Sequence, residues 1–429
     1  MDAFNYINGQ LCCEDLPVAD IVAQAGSPVY IYSKATLLDH YTKLASSFAD
    51  VDTTVCYSIK TLSNLSILNV LKGAGSGFDV VSGGELARAM AIGADPQKIV
   101  YAGVGKTDAE IRYALECNIG WFNIESEMEF ETISAIAAEM GVKTRGALRI
   151  NPDVYDPKTH AYTTTGKKET KFGVDIDRAE DFFDRYGRDE HVKLDSIHLH
   201  IGSPIYSADP YVAALKKALV FIDAIRAKGM EINVLDLGGG FAADYETGKS
   251  PLAADYAAEI LPLIKQANVN LILEPGRHIA CNAGILATKV LYTKTGGEKK
   301  FLIADAAMTD LLRPALYQAE HFVYPVQLAD GAATPERKLT YAPEGGVTVD
   351  IVGGVCETSD TLAHARTLPP MTRGDLLAIF GAGAYGFVMA STYNTRPRPA
   401  EVLVDGDTFK VIRPRETAEE IFAPEQSCL

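Results

Sequence analysis

The chain has 429 residues, enough for about three domains, or two if one is a large barrel. Apolar residues make up 47% and charged residues 22%, and no apolar run reaches the ~18 residues of a membrane span, which excludes a transmembrane helix. Lys and Arg total 40 against 56 Asp and Glu, a formal charge of −16 that disfavours nucleic acid and anionic membrane as partners.

The first residues, Met1-Asp2-Ala3-Phe4, carry neither the basic nor the apolar segment of a secretory leader. The seven cysteines (12, 13, 56, 117, 281, 356 and 428) form no CxxC pair and no metal spacing. An odd cysteine count in a long chain fits a reducing compartment. A cytoplasmic protein without a metal site is expected.

A β-like run at 28–32 comes first. Short β-rich runs then alternate with helical patterns. Strands are predicted at 54–59, 78–82, 98–102, 121–124, 146–150, 194–201, 234–237 and 270–273. Ser126 followed by Glu127 and Glu129 opens one helix, with an N-cap residue and acids in its first turn, and Met140-Gly141 closes it. Asp209-Pro210 opens another that runs to about Lys228-Gly229. Eight strands separated by helices match a (β/α)8 TIM barrel, which takes about 250 residues. A doubly wound open sheet would usually carry a glycine-rich turn after its first strand, where this chain has Ile59-Lys60-Thr61.

Beyond about residue 285 the pattern becomes β-rich, with strands predicted at 323–327, 347–352, 376–380 and 401–412. Asp405-Gly406 between two alternating runs predicts a hairpin. The expected division is therefore an α/β barrel over 36–285 and an all-β domain built from 1–35 and 286–429.

Barrel enzymes place their chemistry at the C-terminal ends of the strands. Here the first strand ends in Lys60, and the second carries Asp79 and runs into Ser82-Gly83-Gly84-Glu85. The fifth carries Arg149, and the sixth ends in His198-Leu199-His200-Ile201-Gly202-Ser203. The seventh ends in Gly238-Gly239-Gly240 and the eighth in Glu274-Pro275-Gly276-Arg277. Taken singly, each has an ordinary reading: a solvated lysine, a turn, a satisfied core histidine, a salt-bridged loop. Together they match one chemistry. A glycine turn with a serine and an arginine suits a phosphate. A lysine beside an apolar strand can form a Schiff base with a carbonyl cofactor. A carboxylate can keep a pyridinium nitrogen protonated, and an imidazole can lie against an aromatic ring. These are the needs of pyridoxal 5'-phosphate.

Tyr57-Ser58-Ile59-Lys60, Gly77-Phe78-Asp79-Val80-Val81-Ser82-Gly83-Gly84-Glu85-Leu86, His198-Leu199-His200-Ile201-Gly202-Ser203, Gly238-Gly239-Gly240-Phe241 and Glu274-Pro275-Gly276-Arg277 resemble the fold-type III pyridoxal-phosphate decarboxylases. The C-terminal half resembles their diaminopimelate branch, through Met308-Thr309-Asp310-Leu311-Leu312-Arg313-Pro314-Ala315-Leu316-Tyr317, Cys356-Glu357-Thr358-Ser359-Asp360 and Gly383-Ala384-Tyr385-Gly386. The resemblance covers nearly the whole chain and implies a barrel with a C-terminal β domain.

It also implies roles. Lys60 is the expected Schiff-base lysine, His200 stacks on the cofactor ring and Glu274 pairs with its nitrogen. Ser203, Gly240 and the turn from Glu274 through Gly276 to Arg277 are expected around the phosphate, Gly239 and Tyr385 are further expected cofactor contacts, and Asp79 and Arg149 form a supporting layer. Arg277, Arg313, Tyr317, Glu357 and Tyr385 are the expected substrate residues, and Cys356 the proton donor, reaching the site from the neighbouring subunit of a homodimer. The implied reaction converts meso-2,6-diaminopimelate to L-lysine and carbon dioxide, the last step of lysine biosynthesis. Decarboxylation of ornithine, arginine or carboxynorspermidine is the alternative. The departures from the family pattern are Leu199, Pro204, Thr309 and Ser359. Ser359 stands where the family often has glycine and would strain its loop if that position needed a positive φ.

Overall fold

The computed structural model describes residues 2–156, 159, 165–166, 170–245 and 250–429. The chain divides into two compact units. One comprises His40–Ala242 and Ser250–His278; the other comprises Met1–Asp39, Ala243–Lys249 and Ile279–Leu429. These limits differ from the expected 36 and 285. The helix Lys34–Ser47 straddles the first division, and 243–249 groups with the β unit.

The first unit is the barrel. Its strands are β1 (Thr53–Ser58), β2 (Gly77–Val80), β3 (Ile99–Tyr101), β4 (Trp121–Ile124), β5 (Thr144–Asn151), β6 (Val192–His198), β7 (Val234–Asp236) and β8 (Asn270–Leu273). Each pairs in parallel with the next, and β8 pairs with β1, which closes the ring. Buried on both sides, such strands read as short apolar runs, which is why their positions show in the sequence.

Cys56, Val100, Trp121, Val234 and Ile272 form one buried cluster drawn from five of these strands. Side chains alternate along a strand, so the residue two positions on faces the same way. Two positions beyond Cys56, Trp121, Val234 and Ile272 stand Ser58, Asn123, Asp236 and Glu274, all buried. The barrel interior thus changes from an apolar layer to a polar one on approaching the strand ends.

The connecting helices start and stop where local chemistry dictates. Ser126 accepts a hydrogen bond from the Glu129 amide at the start of Glu127–Met140, and Gly141 ends that helix in the left-handed region at φ +66°. Ser82 caps Gly83–Ala91 through the Glu85 amide. The predicted helix at 209 runs from Asp209 to Ala227.

In the β unit, the N-terminal run becomes the strand Val29–Ser33. It lies between Gly284–Gly296, to which it is antiparallel, and Ala400–Asp405, to which it is parallel. Ala400–Asp405 and Thr408–Arg413 form the hairpin expected at Asp405-Gly406. Glu14 ties these parts together: its carboxylate accepts hydrogen bonds from the Ser33 hydroxyl (2.7 Å) and from the amides of Ala35 (2.9 Å) and Gly406 (2.6 Å). The unit also holds the helices Val18–Ala25 and Ala418–Gln426 and the short helix Arg313–Tyr317, so its β character is not exclusive. Among the described residues no helix is long and apolar enough to cross a membrane.

Candidate active site

Lys60 sits in the turn Ile59–Thr61 directly after β1, with its Nζ 2.9 Å from Asp79 Oδ2 on β2. Asp79 is fully buried, and Ser58 Oγ lies 2.6 Å from the same carboxylate oxygen and 3.0 Å from the Glu274 carbonyl. Burial and the nearby Glu274 charge raise the Asp79 carboxyl, while Lys60 and Ser58 oppose that shift.

Glu85 opens the helix after β2 and folds back so that its carboxylate accepts the Val81 amide at 2.8 Å. Burial pushes its carboxyl up to about 7, with Asp79 adding to the rise and the Val81 amide and Lys60 opposing it. A folded-state value above the ordinary 4.5 means the folded chain favours the protonated form. The corresponding stability is complete below about 4.5 and is lost as pH rises through about 7. Glu85→Gln should therefore melt higher than the parent apoprotein at pH 8 and close to it at pH 5. Equal differences at the two pH values, read by scanning fluorimetry, would remove this assignment.

Arg149 on β5 is buried and pairs with Glu125 just beyond β4, Nη1 to Oε1 at 2.7 Å. Its guanidinium lies over the Phe172 ring at 4.7 Å. The other Glu125 oxygen accepts the Gly173 amide at 2.7 Å.

His200 follows β6, and the Gly239 amide donates to its Nδ1 at 3.2 Å. Burial together with the Arg149 and Lys60 charges keeps the imidazole well below its usual range, so the ring is neutral with its proton on Nε2. Arg277 Nε donates to Ser203 Oγ at 3.2 Å. Gly240 takes φ +104°, and a Cβ there would stand 2.5 Å from the Gly202 carbonyl. A Cβ on Gly276 would meet Thr61 Oγ1 at 2.1 Å. Both positions admit only glycine, and the backbone amides at these turns are left close to the strand ends.

Glu274, at the end of β8, is the buried anion of the site. Asn123 Nδ2 on β4 donates to its Oε1 at 2.9 Å, and His198 Nε2 lies 3.4 Å from its Oε2. Burial works against its charge. His198 and Lys60 outweigh that effect and hold the carboxyl well below the usual range.

The structure therefore brings Lys60, Asp79, Arg149, His200, Ser203, Gly239, Gly240, Glu274, Gly276 and Arg277 to one end of the barrel. Glu85 and His198, present in the strand-end runs without an assigned role, join them, and the structure adds Asn123, Glu125 and Asp236. Asn123 and Asp236 carry no signal within their own runs; their period-two relation to the apolar layer shows only in the folded barrel.

The other expected residues lie in the β unit. Arg313 opens the helix Arg313–Tyr317 and is 7% exposed. It lies over the Tyr245 ring at 4.7 Å and donates to its hydroxyl at 3.2 Å. Among the described residues no carboxylate pairs with Arg313, and its Nε lacks a hydrogen-bond partner. Tyr317 closes that helix. Cys356 is exposed, and its amide donates to Asn394 Oδ1 at 3.2 Å. Asp360 holds the base of this loop by accepting the Val355 and Met308 amides, each at 2.6 Å. The Glu357 carboxylate accepts the Ser359 hydroxyl at 2.5 Å. Ser359 is outside the left-handed region, so serine there carries no backbone strain, whereas Tyr385 takes φ +56°.

Residues 12–281 match the pyridoxal binding domain of the pyridoxal-dependent decarboxylases. The chain is 45% identical over 425 residues to diaminopimelate decarboxylase of Pseudomonas aeruginosa, covering 99% of both chains. It is 45% identical over 427 residues to the Vibrio cholerae enzyme of the same name, again covering 99% of both. Among solved structures, diaminopimelate decarboxylase from Helicobacter pylori, complexed with L-lysine, superposes with a TM-score of 0.88 at 38% identity, covering 96% of this chain and 100% of that one. With the barrel, the β unit and the strand-end residues in place, these likenesses make the chain a member of the diaminopimelate decarboxylase family of fold-type III, pyridoxal-phosphate-dependent enzymes.

Proposed function

We infer that the chain removes the carboxylate from the D-centre of meso-2,6-diaminopimelate, releasing L-lysine and carbon dioxide. The observation that carries the substrate choice is Arg313. A buried guanidinium with no carboxylate among the described residues suits a substrate that brings its own at the far end.

The strand-end residues fit pyridoxal phosphate. Among the described residues Thr61 Oγ1 and Asp79 Oδ1 are buried without hydrogen-bond partners, polar atoms that a bound cofactor could engage. When bound, pyridoxal phosphate supplies an electron sink for the pair left by the departing carboxylate.

Around it, Lys60 offers the amine that holds the cofactor covalently, and Asp79 anchors that amine between turnovers. Glu274, a buried anion, keeps a proton on the ring nitrogen. His200, neutral, would lie against the ring face of the bound cofactor without adding charge there. Ser203, Gly239, Gly240, Gly276, Arg277 and Tyr385 hold the phosphate, and Arg149 braces the ring pocket through Glu125. Arg277, Arg313, Tyr317, Glu357 and Tyr385 receive the substrate's second amino-acid end, carboxylate to arginine and ammonium to glutamate. Cys356 returns a proton to the reacting carbon.

Cys356 and Glu357 are both exposed in the single chain, which supports a homodimer in which each copy supplies this loop to the other's site. A monomer in sedimentation of the active enzyme would remove that part. A cytoplasmic location belongs to the same proposal, resting on seven free cysteines.

The test is carbon dioxide release with meso-diaminopimelate, ornithine and arginine side by side. Turnover is expected with diaminopimelate and not with the other two, which lack the distal carboxylate. Equal or faster release from ornithine would overturn the substrate assignment.

A further inference from the structure

Asn123 and Asp236 stand beside Glu274 at the polar layer of the barrel, and the roles above leave them unused. Asn123 Nδ2 donates to Glu274 Oε1 at 2.9 Å and to Asp236 Oδ2 at 3.3 Å. Asp236 Oδ1 accepts the Gly238 amide at 2.9 Å. Asn123 and Asp236 are fully buried and Glu274 nearly so. One carboxyl oxygen each from Asp236 and Glu274 and a ring nitrogen of His198 lie within 4.8 Å of one another.

Two carboxyl groups this close and out of water disfavour double ionisation, so one of them tends to keep its proton. The surroundings decide which. His198 lies against Glu274, and Lys60 also favours the Glu274 charge. Asp236 has no cation in contact among the described residues; its Oδ1 accepts the Gly238 amide and its Oδ2 the neutral Asn123 side chain. Asn123 is itself held in place. Its backbone carbonyl accepts from the buried Lys106 at 2.9 Å, and Lys106 pairs with Glu129 at 2.6 Å.

We propose that Asp236 and Asn123 are positioning residues for the Glu274 carboxylate, Asp236 acting as a carboxylic-acid hydrogen-bond donor and Asn123 as an amide donor. Two donors then converge on Glu274, fixing its orientation and keeping it the sole anion of the pair. Burial next to the Glu274 charge raises the Asp236 carboxyl well above its usual range, in the same sense. The proposal rests on Glu274 facing the cofactor nitrogen, so the experiment separates the two ideas.

Asp236→Ala, Asp236→Asn, Asn123→Ala and Glu274→Gln are compared as holoenzymes for kcat and KM with meso-diaminopimelate. Pyridoxal phosphate affinity is measured by absorbance titration of each apoprotein. Loss of a hydrogen bond to a charged group and of an orienting partner predicts a kcat for Asp236→Ala lower by roughly 10- to 100-fold. Cofactor binding should weaken alongside, with KM within about twofold of the parent. Asparagine is neutral and keeps both a donor and an acceptor, so Asp236→Asn should recover most of the loss. Asn123→Ala should weaken cofactor binding in the same direction.

Asp236→Asn as impaired as Asp236→Ala would mean that Asp236 works as an anion, and full activity and affinity in Asp236→Ala would mean that it has no role; either result overturns the proposal. If Asp236→Ala does not fold, Asp236→Asn and Asn123→Ala decide it: an impaired asparagine variant, or undiminished cofactor affinity in Asn123→Ala, overturns it. Parent-like kcat and affinity in Glu274→Gln would instead overturn the reading of Glu274 itself.

Discussion

Lys60→Ala should lower turnover of meso-diaminopimelate by at least about 10³-fold, because removing a covalent participant removes both a bond-forming and a proton-transferring group. The absorbance band of cofactor bound to the enzyme's lysine should vanish with it. The structure separates this effect from a folding defect. Lys60 lies on a short turn at the mouth of the barrel, with about a third of its side chain exposed, so its removal leaves no cavity in the core. Asp79 keeps Ser58 Oγ at 2.6 Å and, losing its cation, is free to take up a proton. The apoprotein should therefore melt near the parent temperature. An unchanged cofactor spectrum in Lys60→Ala would remove the Schiff-base role from this residue, and wild-type turnover would do the same.

Much of this site was legible because a barrel converts sequence position into place. Once eight apolar runs are taken as parallel strands, the residues after each run must share one rim. Lys60, Asp79, His200, the glycines after β7 and Glu274 meet there for that reason. Asn123 and Asp236 were not legible by the same route. Each sits inside an apolar run, Trp121-Phe122-Asn123-Ile124 and Leu235-Asp236-Leu237, where a single polar residue carries no local signal. Their meaning lies in contacts 113 and 151 residues distant along the chain.

Arg149 shows a related gap: its place on β5 was readable, but its ion partner Glu125 was not. In the β unit, the strands Lys299–Ala304 and Thr361–Leu368 carry lysines, a histidine and an arginine in place of clear alternation. The sheet orders them through pairing with Gly284–Gly296 and Val347–Val352, a non-local cause that no window of sequence contains.

Arg313→Leu should move activity and stability in opposite directions. The guanidinium is 7% exposed, and its neighbour is the Tyr245 ring and hydroxyl rather than an acid. A cation held out of water without an anion is unfavourable for the free protein, and an apolar side chain of similar reach relieves that cost. The melting temperature of the apoprotein should therefore hold or rise.

Catalysis should suffer because the substrate's distal carboxylate completes the ion pair that Arg313 lacks among the described residues. Truncating one partner of such a buried pair predicts a fall in kcat/KM for meso-diaminopimelate of roughly 10²- to 10⁴-fold. The preference for diaminopimelate over L-lysine, which has no distal carboxylate, should shrink by a similar factor. Release of carbon dioxide from both substrates, with scanning calorimetry of the same preparations, checks the two signs together. A stable variant that still prefers diaminopimelate by the parent ratio would show that Arg313 does not read the distal carboxylate. A variant that melts well below the parent would show that its charge is already compensated within the fold.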